Sequence, residues 1–186
     1  MAIVRGNLLL SGVSGAIGRQ VVVRQTRNGV VLAHFPSRSS KPPSEAQLQA
    51  RARFGEAVTY AKSAAGREEY QDLAAVGGTS AFAIARRDFL TPPKVQDVDV
   101  ARYRGLRGDV IEVRATDDVK VVAVTVRILA ADGNVVEGGE MVRSEQDAAQ
   151  WIYEAGVDAP AGHMLVEVVA EDLAGNRTSA TRSREV

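Results

Sequence analysis

Two runs of β-branched residues meet across Asn28-Gly29, and that pairing limits the possible folds more than any other feature. Residues 17–26 and 30–36 read as the arms of a β-hairpin. Asn-Gly is the strongest short signal for a type I′ turn, because both central positions must accept positive φ. Residues 1–10 can supply a third strand, about the minimum for a stable sheet, and then only with one face covered. Val21-Val22-Val23 and Val30-Val31-Leu32 are apolar on both faces. Such a sheet demands cover on both sides, and what provides it decides what the chain does.

Ahead of the hairpin, Gly12, Gly15 and Gly18 form a G-x-x-G-x-x-G run after an apolar segment. It resembles the dinucleotide-binding turn of extended short-chain dehydrogenases. That chemistry needs a helix to follow, so that its N-terminus can hold a pyrophosphate. Val21-Val22-Val23 and an Asn-Gly turn follow instead. A ribose-binding acid about twenty positions on is also missing. Turn or bulge glycines are the expected reading.

Residues 35–43 form a Ser- and Pro-rich linker. Ser44 with Gln47 spells a capping box, with Pro42 and Pro43 ahead of it. A helix is expected to about Ala65, with Leu48, Phe54, Val58 and Ala61 on one face. A second helix is expected over 68–75, stopping at Gly77-Gly78. A third begins near Thr79 and presents Phe82, Ala85 and Phe89.

From Val95 the period changes to two. Ile111, Val113 and Ala115 alternate with Glu112 and Arg114, and Val122, Val124, Val126 and Ile128 are expected to face one way. Turns are expected at Asp132-Gly133 and 172–176, with Trp151 and Tyr153 sharing a strand face. Short strands with regular turns indicate a β-sandwich. Residues 114–118, the strands around Asp132-Gly133-Asn134, Trp151-x-Tyr153 and residues 170–176 resemble bacterial Ig-like or fibronectin III-like domains. The resemblance covers roughly 105–183 and lacks the Ig cysteines. Gly15-x-x-Gly18, residues 24–29, 41–47 and Arg51-x-Arg53-Phe54 resemble an uncharacterised bacterial family with a glycine-rich β-hairpin followed by a helix. That resemblance implies architecture and no activity.

The fold class expected is mostly β with a helical middle section. Residues 1–43 form an N-terminal β segment and linker, 44–94 hold two to three helices, and 95–186 form an Ig-like β-sandwich.

A search for chemistry finds little. The absence of cysteine excludes disulfides and thiolate metal sites. His34 and His163 stand alone, without a ligand spacing. Asp117, Asp118, Asp132 and Asp172 could gather at one end of a sandwich around Ca²⁺, with turn formation as the plainer role. No nucleophile elbow or P-loop occurs. The chain is therefore expected to be no enzyme and to use no cofactor, metal or small-molecule substrate. No signal peptide is visible, and no run nears the roughly 18 apolar residues of a membrane span. Synthesis in the cytoplasm without a Sec signal is expected, with the final location open among cytoplasm, virion and an extracellular assembly.

Charge is uneven along a chain of net zero. Residues 1–43 carry six basic residues and no acid, whereas residues 95–186 carry ten basic and seventeen acidic residues. Opposite ends favour head-to-tail association between copies. The N-terminal arginines alternate with β-branched residues and do not cluster, which argues against nucleic acid. The expected function is structural: self-assembly into a filament, ring or lattice by inter-subunit strand addition, as in a phage-type tail or surface layer. The residues assigned to the joint are Ile3, Leu8, Leu10, Val21, Val22, Val23, Arg24, Val30, Val31, Leu32 and Phe35. The Ig-like domain would be displayed or take part in contacts. The alternative is a monomeric Ig-like binding or adhesion module for a protein or glycan.

Overall fold

The computed structural model describes residues 2–4, 10, 12–37 and 41–186. The chain divides into two compact units, Met1–Glu45 and Ala46–Val186.

The first unit holds a four-stranded antiparallel sheet of order β1-β4-β3-β2, from β1 (Ala2–Val4), β2 (Gly15–Ile17), β3 (Val21–Thr26) and β4 (Gly29–His34). The expected hairpin is present, but its turn chemistry lies elsewhere. Arg27 and Asn28 form the turn without positive φ, which falls on Gly29 at 125°. The turn with two positive φ values joins β2 to β3, at Gly18 (58°) and Arg19 (56°), closed by Gln20 N–H donating to Ile17 O at 3.0 Å. A helix does not follow the glycine run. Its glycines shape a strand turn, and the geometry that holds a pyrophosphate is not formed.

The second unit begins with three helices, α1 (Glu45–Ala64), α2 (Glu68–Gly77) and α3 (Ala81–Leu90). Gly78 ends α2 in the left-handed region at φ 63°, and the Ser80 hydroxyl caps α3 by accepting from Ala83 N–H. Of the face expected for α1, Ala61 is buried and Val58 half-buried, but the buried stripe otherwise runs through alanines. Ala57, Ala61 and Ala64 are buried, whereas Leu48 and Phe54 are exposed. Small side chains let the helices approach closely, and Ala61, Ala64, Tyr70, Ala81, Ile84 and Ala85 make a core of their own. Phe54 keeps a role at the surface, with the Arg86 guanidinium 5.3 Å over its ring. In α3 the buried stripe is Ala81, Ile84, Ala85 and Asp88, rotated from the expected Phe82, Ala85 and Phe89.

Eight strands follow: β5 (Lys94–Asp99), β6 (Val110–Thr116), β7 (Val121–Ala130), β8 (Val135–Glu140), β9 (Val142–Arg143), β10 (Gln150–Glu154), β11 (His163–Asp172) and β12 (Arg177–Glu185). They form two antiparallel sheets, of order β5-β6-β10-β9 and β12-β11-β7-β8. Lettered A to G in chain order with β8 as C′, these are the A-B-E-D and G-F-C-C′ sheets of an Ig-like sandwich. Ile111, Val113, Val124, Val126, Ile128, Val166 and Val168 fill the space between the sheets, each 1% exposed or less. Each such side chain contributes roughly 1.5–3 kcal/mol of hydrophobic stabilisation. Val122 departs from the expected alternation. A bulge carries β11 from the Ala123 pairing to Val121, so Val121 turns inward and Val122 outward.

Glycine is required in β8 for steric reasons. A Cβ at Gly138 would stand 2.8 Å from the backbone oxygen of Val126. Gly138→Ala is expected to destabilise the fold by about 1–3 kcal/mol in urea unfolding. An unchanged midpoint would mean that β8 stands off β7.

Candidate functional site

Three carboxylates converge where the helices meet the sandwich. Asp88 comes from the buried stripe of α3, Asp117 from the β6–β7 loop and Asp172 from the end of β11. One carboxylate oxygen from each lies within 4.8 Å of the others. Asp88 and Asp172 are buried and Asp117 is half-buried.

Each carboxylate is held from its own side. Asp117 Oδ2 accepts the N–H groups of Val119 (2.9 Å) and Lys120 (3.1 Å). Asp172 accepts from Asn176 twice, the backbone N–H on Oδ1 at 2.7 Å and Nδ2 on Oδ2 at 2.8 Å. Asn176 Nδ2 also donates to the Asp88 carbonyl at 3.0 Å, joining the β11–β12 turn to α3. Asp88 Oδ2 accepts the Tyr70 hydroxyl at 2.5 Å, and the Tyr70 and Tyr60 hydroxyls are 2.7 Å apart. Tyr60 and Arg67 both donate to Leu173 O, at 3.2 and 3.0 Å. Two buried oxygens, Asp88 Oδ1 and Asp117 Oδ1, have no hydrogen-bond partner.

The electrostatics follow from this crowding. Among the described residues no lysine or arginine bonds any of the three carboxylates; Arg87 pairs with Asp118 at 2.5 Å and Lys120 with Glu69 at 3.0 Å. Two unit charges at such a separation repel by about 3 kcal/mol at an effective dielectric constant near 20. Burial pushes the Asp88 carboxyl up to about 7, and the charges of Asp117, Asp172 and Asp118 push the same way against the Tyr70 hydrogen bond. Burial also raises Asp172, opposed by its Asn176 bonds. The cluster can hold a positive particle, a proton or a cation.

Of the four aspartates grouped by sequence, the structure brings Asp117 and Asp172 together. Asp118 turns to Arg87, and Asp132 closes its own turn on Asn134 at 2.7–2.9 Å. Asp88 was not foreseen. Its signal was an acid seven residues after Ala81, on a stripe otherwise made of Ala81, Ile84 and Ala85.

The residues assigned to a joint between copies lie in the first unit. Val23, Val30 and Val31 are buried; Leu10, Val21, Val22, Leu32 and Phe35 are half-buried. Ile3 and Arg24 are exposed, and Leu8 lies outside the described residues. Ile17 of β2, also exposed, stands on the sheet edge beside them.

No family model matches the chain, and no curated protein matches it. The resemblance of the N-terminal part to a bacterial family therefore has no support. Among solved structures, the chain is similar to CopC from Methylosinus trichosporium OB3b, at 13% identity and a TM-score of 0.39 over 49% of this chain and 89% of that one. It is similar to an engineered protein at 20% identity and 0.38, over 50% of this chain and 20% of that one. A tetra-tandem repeat from the extending region of a large adhesion protein matches at 19% identity and 0.35, over 50% and 23%. The chain thus spans about a fifth of the engineered protein and of the adhesion repeat. The Ig-like assignment rests on strand order. Among the described residues, no helix is long and apolar enough to cross a membrane.

Proposed function

We propose that this chain is a non-enzymatic structural protein that assembles with copies of itself by strand addition at its N-terminal sheet. The supporting observation is the β2 edge. All three residues of β2 are exposed, Ile17 by 55%, and β2 accompanies only half the length of the six-residue β3. Among the described residues no strand pairs with the outer side of β2, and an unpaired apolar edge is a template for another strand that proteins staying monomeric blunt.

The sandwich blunts one of its own edges. Arg182 and Arg184 on β12 donate to Val98 O, Tyr103 O and Ala101 O, closing the gap to the opposite sheet. Its β8 edge instead carries exposed Val135 and acidic Glu140, chemistry that suits the basic N-terminal segment, residues 1–43, of a neighbour. Such a contact is heterologous and yields a ring or an open filament.

The test is negative-stain electron microscopy with light scattering on the intact chain, an Ile17→Lys variant and a chain lacking residues 1–36. Rings or polymers are expected from the intact chain and monomers from both variants. A monomer of the intact chain at high concentration overturns assembly and leaves the alternative, an Ig-like binding module.

A further inference from the structure

We propose that Asp88, Asp117 and Asp172 bind a calcium ion that ties α3 to the β6–β7 loop and the β11–β12 turn. The inference is independent of self-assembly.

An acidic cluster alone does not make a site; the two orphaned oxygens carry the argument. Asp88 is wholly buried, and its Oδ1 has neither a donor nor solvent. Asp117 Oδ1 is in the same condition, while Asp117 Oδ2 is fixed by two backbone N–H groups. Buried polar atoms in folded proteins nearly always have partners, and an ion or water is the usual explanation when the protein supplies none. A proton on one carboxyl can serve a second as donor, but it cancels only one of the three buried charges. A single cation among the three carboxylates satisfies both and removes their mutual repulsion.

Donor chemistry selects the ion. The cluster offers only carboxylate oxygens and no imidazole or thiolate, which points to a hard cation. Asp172 has both oxygens oriented by Asn176 and keeps lone-pair capacity on each. The remaining positions of a six- to eight-oxygen calcium shell fall to water. A cleft of about 270 Å³ lined by Thr91, Thr116, Asp117 and Asp118 lies against Asp117, whose Oδ1 itself stays covered. Irregular donors from a helix, a loop and a strand end suit calcium better than magnesium, which demands a near-ideal octahedron.

The test uses the full chain, stripped with EDTA at pH 7. Titration with CaCl₂ is expected to raise the unfolding temperature by roughly 5–10 °C once free Ca²⁺ exceeds Kd about a hundredfold. With a Kd on the order of 10⁻⁴ M, that requires about 10 mM. Terbium should give tyrosine-sensitised emission that Ca²⁺ displaces, because the Tyr70 hydroxyl is bonded to a proposed ligand. Asp117→Asn preserves an acceptor for the loop N–H groups but loses the free anionic oxygen, and should abolish both responses. If that variant does not fold, the wild-type emission and its displacement decide. No shift and no displaceable emission at 10 mM Ca²⁺ would overturn the site. So would a response that survives Asp117→Asn, or a larger response to Mg²⁺ than to Ca²⁺.

Discussion

In chelator, stability is expected to fall by about 4 kcal/mol between pH 4 and pH 7, and Asp88→Asn should flatten the curve. Asp88 is raised from an ordinary value of 3.8 to about 7. A roughly thousandfold gain in proton affinity on folding corresponds to about 4 kcal/mol. The sign follows from which state holds the proton. Between these values the folded chain keeps it and the unfolded chain does not, so each rise in pH favours unfolding. The contribution is fully present below about 4 and lost as pH rises through 7. Asp172, also raised, adds in the same direction, and Tyr70, raised far above its ordinary value by burial, stays protonated throughout. The surface carboxylates of Glu69, Asp109, Asp132 and Asp147 are lowered chiefly by backbone hydrogen bonds and act oppositely. Their contribution is present above the ordinary carboxylate range and lost as pH falls below it, so it does not mask the fall towards pH 7. Urea unfolding at several pH values measures this directly. A wild-type curve that is flat from pH 5 to 7 would show Asp88 to be ionised in the fold.

Ala61→Leu should cost about 3 kcal/mol, whereas Leu48→Ala should change stability by no more than about 0.5 kcal/mol. Ordinary hydrophobic reasoning predicts the reverse, since leucine is the better core residue. Ala61 is 0% exposed and sits in the helical core with Tyr70, Ile84 and Ala85. Three extra carbons there must displace the Tyr70 ring or push the helices apart. Leu48 is 52% exposed and loses little when truncated. Thermal or urea unfolding of both variants would separate the two readings, and a neutral Ala61→Leu would mean that the helices pack more loosely than described.

These two positions also show what the sequence could convey. Strands were legible because β-branched residues alternate with charges: Ile111, Val113 and Ala115 are buried as their spacing required. The sandwich, the helices near their expected limits and the N-terminal strands follow from such local patterns. The helix faces were legible only in part: Ala61 and Ala85 lie on the expected faces, but Ala57, Ala64 and Ala81 carry too little hydrophobic weight in a pattern to be picked out. Val122 was misplaced for a different reason. The bulge that reverses its side chain is set by register against β11, a relation between distant segments. The hairpin turn failed on a third ground: Gly18 and Arg19 adopt the positive φ pair that Asn28-Gly29 advertised. Asp117 and Asp172 could be named from sequence as turn aspartates gathering at one end of the sandwich. Asp88 could not join them, since only tertiary packing brings α3 beside those loops.

Leu90 of α3 and Lys94 of β5 are separated by Thr91-Pro92-Pro93 alone. Two consecutive prolines fix two φ angles, so this joint has little slack to pay out. Tension applied to the helices would pass into the sandwich almost without extension. The first bonds to feel it would be the cross-braces, Tyr60 and Arg67 on Leu173 and Asn176 on Asp88, well before any β ladder sheared. In a chain of such subunits, the helices and sandwich would behave as one stiff link.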